Sequence, residues 1–171
     1  MPTVEVVRTY LQLGSIQDLR RVDLPVDVRL QRLSACSVQT SRQLYQAVGE
    51  AWNWHDRDAW SDATLADRLA RPQISVWVLT SVDGATLGYA ELEQGDDGSV
   101  EICYFGLVPS AIGRGIGSGF LSTITETAFA LGARRVWLHT CTLDHPAALT
   151  NYEKRGFVRY QRETYLARLP D

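Results

Sequence analysis

Gly113, Gly115, Gly117 and Gly119 fall on alternate positions of the stretch Leu107-Val108-Pro109-Ser110-Ala111-Ile112-Gly113-Arg114-Gly115-Ile116-Gly117-Ser118-Gly119. An apolar run, Ile102 to Val108, leads into it, and a long amphipathic segment, Ile116 to Leu131, leaves it. Glycine adopts backbone conformations closed to residues with a Cβ and lets the main chain approach a ligand closely. The start of a helix leaves N–H groups unpaired and a partial positive charge. A glycine turn that opens a helix is therefore suited to an anion, and a pyrophosphate is the natural size for this one.

The known phosphate loops can be tested against the spacing. A dinucleotide fingerprint requires glycines at i, i+2 and i+5. Counting from Gly113 the third position is Ser118, and from Gly115 it is Phe120, so the strict form fails. A nucleotide-triphosphate loop ends in Gly-Lys-Ser/Thr, and this stretch holds no lysine. A purely structural glycine turn is the competing reading.

The elements that must hold this loop follow from periodicity. Val4 to Leu13 and Val26 to Leu33 read as strands, paired with each other, separated by the breakers Gly14-Ser15 and Pro25. Ser37 to Trp52 fits a helix, and Ser61 caps a short one through Leu69 that ends near Pro72. Between them lies Trp52-Asn53-Trp54-His55-Asp56-Arg57-Asp58-Ala59-Trp60, dense in aromatic and charged residues. Ile74–Leu79, Thr86–Glu93 and Val100–Val108, joined by turns at Asp83-Gly84 and Gly95–Gly98, form an antiparallel meander. Ile116 to Leu131 is a helix stopped by Gly132, and Arg135 to Thr142 is a strand. Asp144 or His145 caps a short helix closed by Gly156, and Phe157 to Leu169 supplies one or two closing strands. The order β-β-α-α-β-β-β-α-β-α-β describes a mixed α/β chain with one sheet, read as a single domain over 1–171.

Composition narrows the function classes. The 171 residues are 45% hydrophobic and 22% charged with a formal charge of −3, which supplies no basic field for nucleic acid. No apolar run approaches the roughly 20 residues needed to span a bilayer, and the N-terminus has no signal-peptide pattern, so the expected location is cytoplasmic. Cys36, Cys103 and Cys141 are widely spaced without a CxxC pair, and only three histidines are present. Reduced, packed cysteines are expected, with no disulfide frame and no metal site.

Two separated motifs carry a resemblance. Leu107-Val108-Pro109 followed by Gly113-Arg114-Gly115-Ile116-Gly117 is similar to the V-x-P-x-x-(Q/R)-x-x-G-x-G/A acetyl-CoA loop of the GCN5-related N-acetyltransferase superfamily (GNAT). His145-Pro146-Ala147-Ala148-Leu149-Thr150-Asn151-Tyr152-Glu153-Lys154-Arg155-Gly156-Phe157 resembles that family's N-P-A-A-x-x-x-Y-E-K-x-G-F helix. The likeness spans about 74–157, roughly half of the chain, and its wording suggests a bacterial branch. Two positions depart from the pattern: Ile112 stands at the Gln/Arg position and His145 at the Asn position. The backbone cradle from Gly113 to Ser118 does not need the missing side chain, and Arg114 adds charge.

The resemblance implies a mostly antiparallel sheet, splayed after its fourth strand, that binds acetyl-CoA as co-substrate. It places the acetyl group beside Phe105, Gly106 and Leu107, and Gly106 is itself a cue for a bulge or a close backbone approach. The cofactor-binding set is then Phe105, Gly106, Leu107, Val108, Gly113, Arg114, Gly115, Ile116, Gly117, Ser118, His145 and Ala148. Tyr152 matches the tyrosine that protonates the leaving thiolate, against a plain core role beside Ala148 and Leu149. Among the meander carboxylates Glu91, Glu93 and Glu101, the last is the first choice for general base, with His139 or an ordered water behind it. Trp54, Asp56, Glu91 and His139 are candidates for the acceptor side, where Asp56 or Asp58 would attract a cationic amine. The expected activity is acetyl transfer to a primary amine of a small molecule or peptide by direct attack in a ternary complex. The expected state is a monomer or homodimer without nucleic-acid or membrane partners. A non-catalytic acyl-CoA-binding or sensing domain is the alternative.

Overall fold

The protein is described by a computed structural model over residues 1–170. Eleven regular elements follow one another: β1 (Thr3–Leu13), β2 (Val28–Leu33), α1 (Val38–Gly49), α2 (Asp62–Leu69), β3 (Ile74–Ser81), β4 (Thr86–Gln94), β5 (Ser99–Leu107), α3 (Gly117–Ala130), β6 (Arg135–Cys141), α4 (Ala148–Lys154) and β7 (Val158–Arg168). The strands form one sheet in the order β2-β3-β4-β5-β6-β1-β7. Every neighbour is antiparallel except β5 and β6, which run parallel. This is the expected mixed, mostly antiparallel architecture.

Local chemistry accounts for the helices. Ser37 and Ser61 precede α1 and α2, and each hydroxyl accepts the third N–H of its helix, from Thr40 and Thr64, at 3.1 Å. Helix α3 buries Phe120, Leu121, Ile124 and Ala128 completely, a stripe at helical spacing. That stripe meets Leu11, Leu92, Ile102, Val136, Leu138 and Phe157 in the larger core layer. On the opposite sheet face, Leu44 and Val48 of α1 pack on Val76, Val78 and Tyr89. β4 lies between both layers, which is why Leu87 through Leu92 are all buried.

Two expectations change. β1 does not pair with β2; it sits between β6 and β7, while β2 forms the far edge beside β3. The segment joining them crosses the helix layer, where the Arg20 N–H bonds the Arg155 carbonyl at 2.9 Å and the Val22 N–H bonds Ser122 Oγ at 3.0 Å. A Cβ on Gly119 would lie 2.6 Å from the Asp23 carbonyl oxygen, so this glycine exists for that crossing. The short helix starts at Ala148, later than an Asp144 or His145 cap would give. Asp144 instead accepts from Thr140 Oγ1 at 2.6 Å and from the Cys141 N–H at 2.9 Å, closing the turn after β6. His145 Nδ1 accepts the Ala147 N–H at 3.0 Å. The closing segment is a single strand, β7.

Candidate active site

The site begins where two strands part. β5 and β6 pair only through Ser99–Glu101 against Arg135–Trp137. Past Glu101 the strands diverge, and the sheet opens after its fourth strand in spatial order. The β4–β5 register shifts here: Tyr104 faces Glu91 and Ile102 faces Leu92, so Cys103 is one residue extra. A bulge of this kind bends its strand and leaves backbone groups outside the ladder. The bulge is therefore at Cys103 and not at Gly106. Gly106 serves close approach instead, because a Cβ there would come within 2.5 Å of Val48 Cγ1 on α1.

A cavity of about 910 Å³ runs through this opening. One end is walled by the glycine loop. Gly113 and Gly115 have φ of +80° and +75°, with open space where a Cβ would stand. Helix α3 has no side-chain cap, and its first backbone bond is from the Phe120 N–H to the Ile116 carbonyl. The N–H groups of Gly117 and Ser118, both on the cavity wall, are thus left without a helix partner. Asn151 of α4 donates to the Gly117 carbonyl at 3.3 Å, fixing the distance between the two helices that flank this end.

Of the twelve residues expected at the cofactor, Phe105, Gly106, Leu107, Gly113, Gly115, Ile116, Gly117, Ser118, His145 and Ala148 line the cavity, joined by Ile112 and Asn151. Val108 and Arg114 stand apart from the wall. Val108 packs against both core layers and its N–H bonds the Leu87 carbonyl. Arg114 is exposed, and its charge acts on Asp83 in the β3–β4 turn. Gly117 has an ordinary φ, and a Cβ there would make normal contacts at 3.8 Å with Asn151 and Leu107.

Tyr152 lines the cavity from α4, its ring beside Phe105 and Phe157 with centroids 6.2 Å away in each case. It is 7% exposed, and burial, with the Asp144 charge second, pushes its phenol well above the ordinary value. The group therefore stays protonated near neutrality, as an acid must before it acts.

Glu101 and His139 face each other across the split, Oε1 to Nε2 at 4.0 Å. Burial, then the neighbouring Glu93 charge, raises the Glu101 carboxyl above its ordinary range, while Arg68 pulls it back. Burial, then the Arg8 charge, lowers the His139 imidazole. Both groups thus move toward a common window in which each can take a proton.

The acceptor-side segment folds over β5. Trp54 and Asp56 line the cavity, as do Trp52 and Trp60. Trp54 packs so tightly on Gly49 that a Cβ there would fall within 2.4 Å of its ring. The aromatic wall and the packing role are the same residues. Trp52 meets the His145 ring across the cleft at 4.7 Å. Glu91 lies elsewhere than expected: fully buried beneath the wall, it accepts from Arg57 at 2.7 and 2.6 Å and from Arg68 at 2.9 and 3.1 Å. It holds cavity-lining arginines and does not face the cavity. Arg57 and Arg68 escaped the sequence reading because their partner is 34 and 23 positions away. Asn151 had a signal, its place beside Tyr152 in the second motif.

The model of the acetyltransferase (GNAT) family matches residues 41–157. The chain belongs to the GNAT family. An uncharacterized N-acetyltransferase of Mycobacterium tuberculosis is 34% identical over 97 residues, 57% of this chain and 61% of the relative, and a Mycobacterium bovis counterpart matches equally. The match thus spans less than two thirds of those relatives. A GCN5-related N-acetyltransferase from Kribbella flavida superposes with a TM-score of 0.68 at 18% identity, over 96% of this chain and 58% of that one. One from Sphaerobacter thermophilus gives 0.68 at 15% identity, over 97% and 51%. These neighbours share the fold of this chain.

Proposed function

We propose that this GNAT protein transfers an acetyl group from acetyl-CoA to a primary amine of a small molecule or peptide by direct attack within a ternary complex. The observation that carries the reading is one continuous cleft, about 910 Å³, with the unpaired N–H groups of the glycine loop at one end. The same cleft is lined by Glu101, His139 and Tyr152. That volume suits a cofactor arm and an acceptor together.

The residues present fit the co-substrate. The pyrophosphate would rest on N–H groups from Gly113 to Ser118, a cradle that relies on main chain because Ile112 replaces the polar side chain. The pantetheine arm would lie along the free edge of β5 at Phe105–Leu107, flanked by Asn151 and Ala148. Glu101, directly or through a water, takes the proton of the acceptor ammonium, with His139 beside it. The amine nitrogen attacks the thioester carbon, and β5 main-chain groups outside the ladder receive the oxyanion. The C–S bond breaks as the attacking nitrogen gives up its second proton to water in the cleft, and Tyr152 supplies the proton to the departing sulfur and is reprotonated from that water. Cys103 is kept as a neutral thiol by burial and the Glu101 charge, so no covalent acyl-enzyme step is assigned to it.

The test is thiol release from acetyl-CoA with a panel of primary amines, alongside calorimetry with acetyl-CoA alone. Turnover dependent on an amine is the expected result. Tight acetyl-CoA binding with no turnover on any amine would favour the non-catalytic acyl-CoA-binding reading instead.

A further inference from the structure

Resting on the acetyltransferase reading, the geometry points to a second cation subsite at Asp56, so that the acceptor is an amine bearing a further positively charged group remote from the one acetylated. Asp56 lies on the cavity wall, and its carboxylate is exposed while being held by two tyrosine hydroxyls. Tyr104 Oη donates to Oδ2 at 2.5 Å and Tyr45 Oη donates to Oδ1 at 3.2 Å. A carboxylate accepts about four hydrogen bonds, so two held positions leave others for a ligand.

Surrounding groups favour a cation. Trp54 and Tyr104 stand next to Asp56 with ring centroids 5.1 Å apart, and both line the cavity. The indole of Trp54 beside a fixed carboxylate forms a standard environment for an ammonium group, while the Tyr104 ring is already faced by Arg57 and contributes its hydroxyl. The adjacent cation does not fill it. Arg57 turns inward, 5% exposed, and is spent on Glu91 and on the rings of Tyr104 at 4.4 Å and Trp60 at 4.9 Å. Arg8, also on the wall, is tied to Glu163 at 3.1 Å.

The subsite is separate from the attack point. Glu101 and His139 sit at the β5–β6 split, whereas Asp56 is carried by the segment folded over β5, and its charge is felt at His139 across the cleft. An amine losing its proton near Glu101 can therefore keep another ammonium at Asp56. Asp58 cannot serve in its place. Its carboxylate is engaged by His55 Nδ1 at 2.7 Å, and it does not belong to the cavity wall.

The experiment compares a series of α,ω-diamines with the amino alcohols of equal length, which differ only in replacing the distal ammonium by a hydroxyl. Calorimetry on the CoA-bound protein should show the best diamine binding about tenfold or more tighter than its amino alcohol. Asp56→Asn retains a side chain that the tyrosine hydroxyls can bond, and it should collapse that ratio to near one. Tyr104→Phe should reduce it partially, and Asp58→Asn should leave it as in the wild type. Equal affinities in the wild type, or a preference that survives Asp56→Asn, would overturn the subsite. Because binding is read without turnover, a diamine preference lost in Asp56→Asn with no acetyl transfer would uphold the subsite and refute the enzymatic reading. Amine acetylation without diamine preference would do the reverse.

Discussion

Glu101 and His139 meet at 4.0 Å where the last β5–β6 pair, Glu101 with Trp137, gives way to open cleft. They come from strands 38 positions apart by residue number, and the parallel pairing of β5 with β6 brings them together. Burial raises the Glu101 carboxyl above its ordinary value and lowers the His139 imidazole below its own.

A base must be unprotonated to act, so activity falls as pH drops through its folded-state pKa. With Glu101 as the base, the acid limb of kcat/KM should lie above the ordinary carboxylate range, measured with an acceptor whose own titration is well removed. Glu101→Gln should lower kcat by about a hundredfold and abolish that limb. If His139→Asn abolishes it while Glu101→Gln leaves it in place, the two roles are exchanged.

Tyr152→Phe keeps the ring that packs on Phe105 and Phe157 and deletes the proton donor. The expected loss in kcat is roughly ten- to a thousandfold, with acetyl-CoA affinity retained. Unchanged kcat in this variant, measured by steady-state thiol release, would reduce Tyr152 to a core residue.

The glycines of the loop should respond differently from one another. Gly115→Val forces a β-branched residue to φ +75° and should abolish acetyl-CoA binding measured by calorimetry. Gly117→Ala adds a methyl at normal contact distance and should change affinity by less than about threefold. Equal effects at both positions would contradict the division of labour.

Glu91→Ala would leave the buried guanidinium of Arg57 and the partly buried one of Arg68 without their shared carboxylate. Removing one partner of such a cluster costs about 3–5 kcal/mol. For a chain of this length that is a fall in Tm of roughly ten degrees, readable by calorimetric melting. A melt within two or three degrees of wild type would show that the ion cluster contributes little to holding the acceptor segment.

Much of the architecture was legible because it is written in local pattern. The meander announced itself through apolar strands and the turns at Asp83-Gly84 and Gly95–Gly98, and α3 through its stripe of Phe120, Ile124 and Ala128. The two motifs, each continuous in the chain, carried the family. The misread partner of β1 was different in kind. Strand pairing depends on where the intervening chain travels, and the path of 14–27 over α3 is set by contacts such as Gly119 with Asp23.

The sequence by itself determined the element order, the glycine loop and the helix of Tyr152, since each depends on residues within one or two turns of one another. Tertiary structure alone decided that Cys103 is the bulge, that Glu91 is buried under two arginines, and that Glu101 faces His139. The reason is physical. Register and ion pairing are relations between strands and loops tens of residues apart, and their energies exist only once the sheet has brought those segments within a few ångströms.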